Sequence, residues 1–303
     1  MKAIVTGGAG FIGSHLADRL IALGAKVVVV DNLSAGFGEN VPLGARFYRT
    51  DFDDVDYFKE SLVDCDVIFH NAASKKNVCL HDPNKDLDVN GAATLRLLRA
   101  CKEICKKKIK FVHASTGSVY GEAEGLLTEK TPTKPVSFYG ISKLAGENYV
   151  TLFNRLYDLD TTVLRYFHVY GDRQRNDQQQ GGVISIFSKK ILNREPITIH
   201  GDGNQQRLFT WVNDVVDANL LAFHNVKMKG EIFNVASETK VTVNEAALYM
   251  MEKIGTVVPV QYEDPLIGDI YAFNINTWKI NQFMRFVPFY EGILRTSLLA
   301  KKK

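Results

Sequence analysis

The chain of 303 residues contains only four cysteines, and none of them belongs to a CxxC pair. A small secreted scaffold held together by disulfides would contain more, so we expect a reducing compartment, the cytoplasm. Cys101 and Cys105 are four residues apart on a predicted helix, but no second pair of metal ligands stands nearby. We therefore predict core cysteines and no metal site.

Long apolar runs and a strong excess of one charge are also missing. No apolar run is long enough to cross a bilayer, and the first residues lead straight into a predicted strand without the pattern of a signal peptide. The 37 basic residues nearly balance the 34 acidic ones, for a net charge of +3. The lysine clusters at 106–108 and 301–303 have no interleaved aromatic residues, so we expect neither a membrane nor a nucleic acid as partner.

Short apolar runs alternate with helical patterns up to about residue 165, which is typical of βαβ units and a parallel sheet buried on both faces. Helices are predicted near 12–23, 54–62, 86–105 and 137–157. Six strands are predicted, at 3–5, 27–30, 45–48, 67–69, 111–113 and 162–164. We therefore predict an α/β domain over residues 1–165.

The pattern loosens after this point. Residues 171–182 are polar and rich in glutamine, which predicts a loop, and a helix near 183–193 and a strand at 197–200 follow. We predict a smaller lobe over residues 166–303, discontinuous in sequence, with some segments returning to the first domain.

A glycine fingerprint follows the first strand. Gly7, Gly10 and Gly13 stand between that strand and a predicted helix, where glycines permit a tight turn and let the backbone approach a pyrophosphate at the helix N-terminus. Asp31 ends the next strand, 18 residues after Gly13, where an acid accepts hydrogen bonds from ribose hydroxyls and repels a 2′-phosphate. The pattern favours NAD over NADP; a glycine turn without a ligand is the alternative.

Tyr139 and Lys143 are four residues apart on a predicted helix, so both side chains lie on the same face. A nearby cation favours the phenolate and would lower the tyrosine pKa toward neutrality, which makes the pair suited to proton transfer. Because this spacing also occurs by chance on amphipathic helices, the interpretation depends on the other motifs.

Taken together, the motifs resemble those of the extended short-chain dehydrogenase/reductases, specifically the NAD-dependent epimerase/dehydratase family that acts on nucleotide sugars. The resemblance covers nearly the whole chain and implies a Rossmann-like doubly wound parallel sheet with a smaller C-terminal substrate-binding lobe. It rests on the glycine fingerprint, Asp31, Asp51-Phe52, residues 70–73, Asn90, residues 116–121, Tyr139 to Lys143, residues 164–171, residues 200–203, Arg207 and residues 211–216.

The resemblance also implies which residues bind NAD. Asp51 and Phe52 would lie by the adenine, Ala72 and Ala73 would line the cofactor channel, and Asn90 would lie near the middle of the dinucleotide. The full set that it implies is Gly7, Gly10, Phe11, Ile12, Gly13, Asp31, Asn32, Asp51, Phe52, Ala72, Ala73, Asn90, Tyr139 and Lys143.

The catalytic trio of the family maps onto Thr116, Tyr139 and Lys143. Tyr139 would take a proton from a sugar hydroxyl while hydride leaves the carbon that carries it. Lys143 would lower the pKa of Tyr139 and bind the nicotinamide ribose, and Thr116 would bind the same sugar oxygen. The register set by Val119 to Gly121 favours Thr116 over Ser115 as the catalytic hydroxyl.

The residues after Thr116 help to choose the reaction. Sugar 4,6-dehydratases carry an Asp-Glu pair there, whereas this chain has Gly117 and Ser118, which favours a 4-epimerase acting on a UDP-hexose. The alternatives are a dehydratase or net oxidoreductase of the same family, and a non-catalytic dinucleotide sensor. The intact Tyr139 and Lys143 argue against the sensor.

Several residues bear on the substrate. Arg207 would bind a diphosphate, unless it is an ordinary surface arginine. His168 stands where relatives have a substrate-facing Asn, with packing as the alternative, and Lys76 would contact an acidic sugar or compensate for a missing arginine. That arginine is expected just before Gly268, where Leu266 and Ile267 stand instead. The resemblance finally implies a homodimer formed by the helices at 86–105 and 137–157.

Overall fold

The computed structural model describes residues 1–74, 76–177, 181–265 and 270–300, without the side chains of residues 76–78. In chain order the strands are β1 (Lys2–Thr6), β2 (Lys26–Val30), β3 (Arg46–Tyr48), β4 (Val67–His70), β5 (Lys110–Thr116), β6 (Asp160–Tyr166), β7 (Val169–Tyr170), β8 (Ile197–His200), β9 (Gln206–Leu208), β10 (Thr210–Trp211), β11 (Glu231–Val235), β12 (Lys240–Thr242) and β13 (Val260–Glu263).

The helices alternate with these strands. They are α1 (Phe11–Ala22), α2 (Lys59–Val63), α3 (Lys76–His81), α4 (Pro83–Leu87), α5 (Thr94–Ile104), α6 (Phe138–Tyr157), α7 (Val183–Leu192), α8 (Val212–His224), α9 (Val243–Ile254), α10 (Trp278–Asn281) and α11 (Phe289–Gly292). A π-helical segment, Asp88–Ala93, joins α4 to α5. The predicted helix at 86–105 is therefore interrupted, and the one at 54–62 is divided into a 3₁₀ turn, Val55–Tyr57, and α2.

Seven strands form one sheet in the order β11-β6-β5-β4-β1-β2-β3. The pairs β1–β2, β2–β3, β1–β4 and β4–β5 are parallel. The chain moves from β1 to β2 and β3 on one side and to β4, β5 and β6 on the other. The switch point therefore lies between β1 and β4, and ligands of such sheets bind at the carboxyl ends of the strands on either side of it.

Apolar residues explain why these strands are central. Val28, Ile68 and Phe111, from three strands of the sheet, pack in one core with Leu97 and Leu98 of α5. All five are at most 3% exposed. Burial on this scale stabilises the fold by roughly 2 kcal/mol for each side chain.

The structure divides into two compact units. The first contains residues 1–121, 132–165 and 216–233; the second contains residues 122–131, 166–215 and 234–303. In the second unit, α7 and α9 supply Phe187, Ile191, Ala246 and Met250 to a separate core together with Phe289. The boundary predicted at residue 165 coincides with one of the breaks between the units.

The predicted α/β class, a Rossmann-like parallel sheet with flanking helices, is confirmed. All six strands predicted before residue 165 are present, and β11 from the C-terminal part of the chain adds a seventh strand to the sheet next to β6. Among the described residues, no helix combines the length and the apolar character needed to cross a membrane.

Candidate active site

The glycine turn leaves no room for side chains. Gly7 has a φ of +68°, and a Cβ there would lie 2.7 Å from the backbone nitrogen of Ala72; a Cβ on Gly13 would lie 2.2 Å from the carbonyl oxygen of Gly7. Gly10 precedes α1, which begins at Phe11 and Ile12, and no acidic residue lies in its first turn. This N-terminus offers amide donors and a partial positive charge, so the turn fits the pyrophosphate of a dinucleotide.

Asp31 ties the loop after β2 to this turn. Its carboxylate accepts hydrogen bonds from the backbone nitrogens of Ala9 at 3.0 Å and Leu33 at 2.8 Å. Burial raises the pKa of Asp31, and these two hydrogen bonds oppose the change. Next to it, Asn32 Nδ2 donates to Asp51 Oδ1 at 2.5 Å. Three residues of the predicted adenosine site, Asp31, Asn32 and Asp51, are therefore held in place by hydrogen bonds within the protein.

A chain of hydrogen bonds runs beneath the predicted cofactor channel. Ala72 N donates to Thr6 Oγ1 at 3.3 Å, and Thr6 Oγ1 lies 2.7 Å from His70 Nδ1. On the other side, His70 Nε2 lies 3.1 Å from Thr94 Oγ1, which donates to Asn90 O at 2.9 Å. Because the Thr94 proton is already used, its oxygen accepts, and the proton of His70 lies on Nε2. Phe52 packs edge-on against His70, with ring centres 4.7 Å apart.

Asn90 is 1% exposed, and its amide is engaged by protein groups. Oδ1 accepts from Ser74 N at 2.9 Å, while Nδ2 donates to Asp86 Oδ1 at 2.8 Å and to Ser142 Oγ at 3.0 Å. The predicted cofactor role of Asn90 remains a prediction. What its side chain does is join the segment after β4, which contains Ala72 and Ala73, to α6.

The predicted catalytic trio lies together in the first unit. Thr116 ends β5, and Tyr139 and Lys143 lie on α6; Tyr139 hydrogen-bonds Thr116. Lys143 Nζ donates to Ala114 O at 2.5 Å, so the ammonium is anchored two residues before Thr116. Ser115, by contrast, donates to a buried carboxylate, that of Glu147, at 2.7 Å. This supports Thr116 as the catalytic hydroxyl.

The pKa of Tyr139 moves in the opposite direction from the one that its spacing to Lys143 suggested. Burial of the hydroxyl raises the pKa of Tyr139, with contributions from Cys79 and Asp86, and the hydrogen bond from Thr116 opposes the rise. Burial also lowers the pKa of Lys143 to about 8. Desolvation has the largest effect on the pKa of both groups.

Sequence reasoning missed a buried acid that acts on both members of this pair. Asp86 is 1% exposed and accepts hydrogen bonds from Cys79 Sγ at 2.6 Å and from Asn90. Burial and the hydrogen bond to Asp86 raise the pKa of Cys79 to about 12, so Cys79 is a neutral donor. The sequence predicts a helix around Asp86. The helical pattern alone does not show that the carboxylate of Asp86 is buried.

Two histidines lie side by side beneath the site. His70 on β4 and His113 on β5 are register partners with ring centres 5.3 Å apart, and both are at most 1% exposed. Neither ring nitrogen of His113 has a hydrogen-bond partner among the described residues. Burial, followed by the charge of Lys143, lowers the pKa of His70 to about 3 and lowers that of His113 as well.

We expect these histidines to make the protein sensitive to acid. Since their folded-state pKa lies below the unfolded value of about 6.5, the unfolded state binds more protons, and stability falls as pH drops below that value. Each histidine lowers the free energy of unfolding by about 2 kcal/mol when the pH falls from 6.5 to 5. Replacing the unpartnered one, His113→Leu, should raise the free energy of unfolding by roughly 1 to 2 kcal/mol at pH 7. The same substitution should halve the loss of unfolding free energy that these histidines cause between pH 6.5 and pH 5. Urea unfolding at both of these pH values measures this loss, and an unchanged pH dependence would contradict the prediction.

Two predicted substrate residues lie in the second unit. Arg207 on β9 is 6% exposed, so it is not a solvated surface arginine, and its Nη1 donates to the carbonyl oxygens of Gln206, Ile270 and Tyr271 at 2.9 to 3.0 Å. His168 has an unusual positive φ of 38°, and its ring lies 5.9 Å from that of Phe273. Positive φ is rare outside glycine and is typical of functional positions.

Other predicted features fall outside the described residues. They are the side chain of Lys76 and the segment 266–269, with Leu266 and Ile267 in place of the expected arginine. Within the part of the chain that the structure describes, no group of three or more His, Cys, Asp or Glu side chains is arranged to hold a metal ion.

The sheet order, the glycine turn and the Tyr-Lys pair define the class: an enzyme of the short-chain dehydrogenase/reductase type that binds a dinucleotide. Comparison with known proteins then gives the family. The model of the NAD dependent epimerase/dehydratase family matches residues 3–236. The chain belongs to this family, which confirms the resemblance drawn from its motifs.

Individual relatives are similar over nearly their full length. The UDP-glucose 4-epimerase of Mycolicibacterium smegmatis is 34% identical, over 98% of this chain and 97% of its own. The structure of the Thermotoga maritima UDP-glucose 4-epimerase with UDP-glucose has a TM-score of 0.91 and 37% identity, and covers 97% of this chain and 96% of its own. The Thermus thermophilus UDP-glucose 4-epimerase in complex with NAD has a TM-score of 0.89 and 34% identity, with 98% of both chains covered.

Proposed function

We propose that this protein is an NAD-dependent nucleotide-sugar 4-epimerase whose substrate is a UDP-hexose. The single observation that carries the proposal is the grouping of Thr116, Tyr139 and Lys143 on β5 and α6, in a chain that belongs to this family. The similarity to epimerases named for UDP-glucose supports the choice of substrate.

The cofactor is NAD, and the fingerprint residues Gly7, Gly10, Phe11, Ile12 and Gly13 would hold its pyrophosphate. When bound, NAD accepts a hydride and returns it, and its oxidised ring adds a positive charge. Asp31, Asn32, Asp51 and Phe52 would bind the adenosine, while Ala72, Ala73 and Asn90 would border the rest, with Tyr139 and Lys143 at the nicotinamide end.

The residues of the chain manage the proton. Thr116 and Tyr139 would hold the sugar O4, with Tyr139 taking its proton as the C4 hydrogen leaves and giving it back when hydride returns to the other face. Because burial raises the pKa of Tyr139 in the ligand-free site, the phenol is protonated until positive charge arrives nearby. Lys143, with a pKa of about 8, already supplies one positive charge in the ligand-free site, and the oxidised ring of NAD would supply the second.

Epimerisation is favoured over dehydration by the turn after Thr116. Gly117 and Ser118 occupy a 3₁₀ turn, Gly117–Tyr120, in which Thr116 Oγ1 caps Ser118 N at 3.2 Å. No side chain in this turn carries an acid that would protonate a leaving 6-hydroxyl. Arg207, His168 and Lys76 are proposed to contact the substrate.

The experiment is to incubate the purified protein with UDP-glucose, UDP-N-acetylglucosamine and UDP-glucuronic acid and to follow the products by NMR. We expect interconversion of at least one of them with its 4-epimer and no net formation of NADH. A 4-keto-6-deoxy product, or one NADH per turnover, would instead support the dehydratase or net oxidoreductase.

We also propose a cytoplasmic homodimer. Its support is an exposed apolar face on α6, where Ile141, Leu152 and Leu156 are 41 to 61% exposed, and where the ring of Tyr157 lies under Lys102 of α5. A second copy of this face would cover it as a four-helix bundle. The four free thiols are in keeping with a reducing compartment.

The dimer is tested by charge insertion. Leu152→Glu combined with Leu156→Glu should reduce the mass measured by light scattering from twice the chain mass to the 33.9 kDa of one chain. Leu248→Glu, at a position on α9 that is 65% exposed, is the matched control and should leave the mass unchanged. A wild-type protein that already measures 33.9 kDa would disprove the proposal.

A further inference from the structure

Glu147 and Arg165 form a buried ion pair in the first unit, with side chains that are 2% and 3% exposed. Arg165 Nε donates to Glu147 Oε2 at 3.1 Å, and Arg165 Nη2 donates to Glu147 Oε1. Ser115 Oγ also donates to Glu147 Oε2, at 2.7 Å. Both carboxylate oxygens are thus saturated by an arginine fork and a hydroxyl, a geometry that fixes all three side chains.

The pair connects the segments that carry the catalytic trio. Glu147 lies one helical turn after Lys143 on α6, and Ser115 immediately precedes Thr116 on β5. The guanidinium carbon of Arg165 lies 4.6 Å from the ring centre of Tyr120, a side chain with no exposed surface at the end of the turn that Thr116 caps. A change in this pair therefore reaches Thr116 through Ser115, and it reaches Lys143 through the charge of Glu147 on the same helix.

Among the described residues, two buried carboxylates act on Lys143, those of Glu147 on α6 and Asp86 on α4. Tyr139 lies one helical turn before Lys143 on α6, and the imidazoles of His70 and His113 lie close enough on the sheet for the charge of Lys143 to lower their pKa values. Burial lowers the pKa of Lys143, and the carboxylates of Glu147 and Asp86 oppose that change. Arg165 offsets part of the charge of Glu147, since the two form a pair.

We propose that Glu147 and Arg165 are positioning residues for the epimerase reaction: they align Thr116 with Lys143, and their opposite charges act in opposite directions on the protonation of Lys143. This rests on the proposed function. A buried ion pair adds little stability over two apolar residues, so its place beside both catalytic groups is what needs explaining.

The same two strands provide a matched control. Lys110 begins β5 and Asp160 begins β6, and their side chains form an ion pair of 2.7 Å with Lys110 only 5% exposed. Five residues of strand, roughly 17 Å, separate this pair from Ser115 and Arg165. Asp160→Asn should destabilise the fold without affecting Lys143.

The test follows the titration of Lys143 directly, by ¹³C NMR of labelled lysine Cε in the NAD-saturated protein, with the signal assigned by Lys143→Arg. Glu147→Gln should move the midpoint down by about one pH unit or more, and Arg165→Met should move it up by a similar amount. In the double variant, the midpoint of Lys143 should differ from that of the wild type by less than half of the shift seen in either single variant. A residue that only stabilises the fold would not produce shifts of opposite sign.

Arg165→Lys separates charge from geometry and remains usable if a single variant fails to fold. It keeps the positive charge but loses the fork, so the midpoint should stay near that of the wild type while kcat falls at least tenfold. Midpoints that do not move in Glu147→Gln, or that move in the same direction in both single variants, would overturn the proposal. A wild type without epimerase activity but with these opposite shifts would disprove the proposed function and leave the charge balance supported.

Discussion

Replacement of Tyr139 by Phe should lower turnover by roughly 10³-fold while leaving the fold and NAD binding in place. Phe fills the same partly buried site and loses only the hydroxyl, which bonds Thr116 in the ligand-free protein. A positioned general base contributes about 10² to 10⁴-fold to turnover. The measurement is kcat for the interconversion of the best substrate.

Tyr157→Phe is the control for this prediction. Tyr157 lies at the end of the same helix, is 47% exposed, and contacts Lys102 through its ring, which Phe retains. Turnover should be unchanged. If Tyr139→Phe kept more than a third of wild-type activity, the assignment of the base would be wrong.

Gly13→Ala should abolish useful NAD binding. The new Cβ would lie 2.2 Å from the Gly7 carbonyl oxygen, which already accepts a hydrogen bond from Gly10 N at 3.0 Å. The turn must move to admit it, at a cost of about 3 kcal/mol, and a loss of that size weakens binding by on the order of 100-fold. Calorimetric titration with NAD measures the effect.

The same substitution elsewhere separates steric conflict from a general effect of alanine. At Gly91, in the π-helical segment, a Cβ would make ordinary contacts of 3.4 Å with Leu87 and 3.5 Å with Ala145. Gly91→Ala should bind NAD like the wild type. Equal loss of affinity in the two variants would mean that the glycine turn is not the binding element.

Periodicity predicted the central strands well, because strands buried on both faces are continuous apolar runs that stand out in sequence. It did not predict β11, whose short sequence of Glu231–Val235 mixes polar and apolar residues without a clear period and gave no sign of the sheet it would join. The π-helical break at Asp88–Ala93 was also missed, since it depends on the close approach of α6: a Cβ on Gly146 would lie 2.4 Å from Asn90 O.

Sequence patterns predicted only part of the candidate site as well. Motifs placed Thr116 at a strand end and Tyr139 and Lys143 on one helix, as the structure has them, while their catalytic roles stay a prediction. Spacing alone did not give the pKa of Tyr139, which burial raises, nor the hydrogen bonds that link His70 to Asn90. Desolvation and long-range pairing depend on residues far apart in sequence.

The most direct test of the central claim uses UDP-glucose that carries deuterium at C4, incubated with the NAD-saturated protein. Epimerisation by oxidation and hydride return predicts UDP-galactose that keeps the deuterium at C4, without accumulation of NADH. Product with hydrogen at C4, a 4-keto-6-deoxy sugar, or stoichiometric NADH would contradict it.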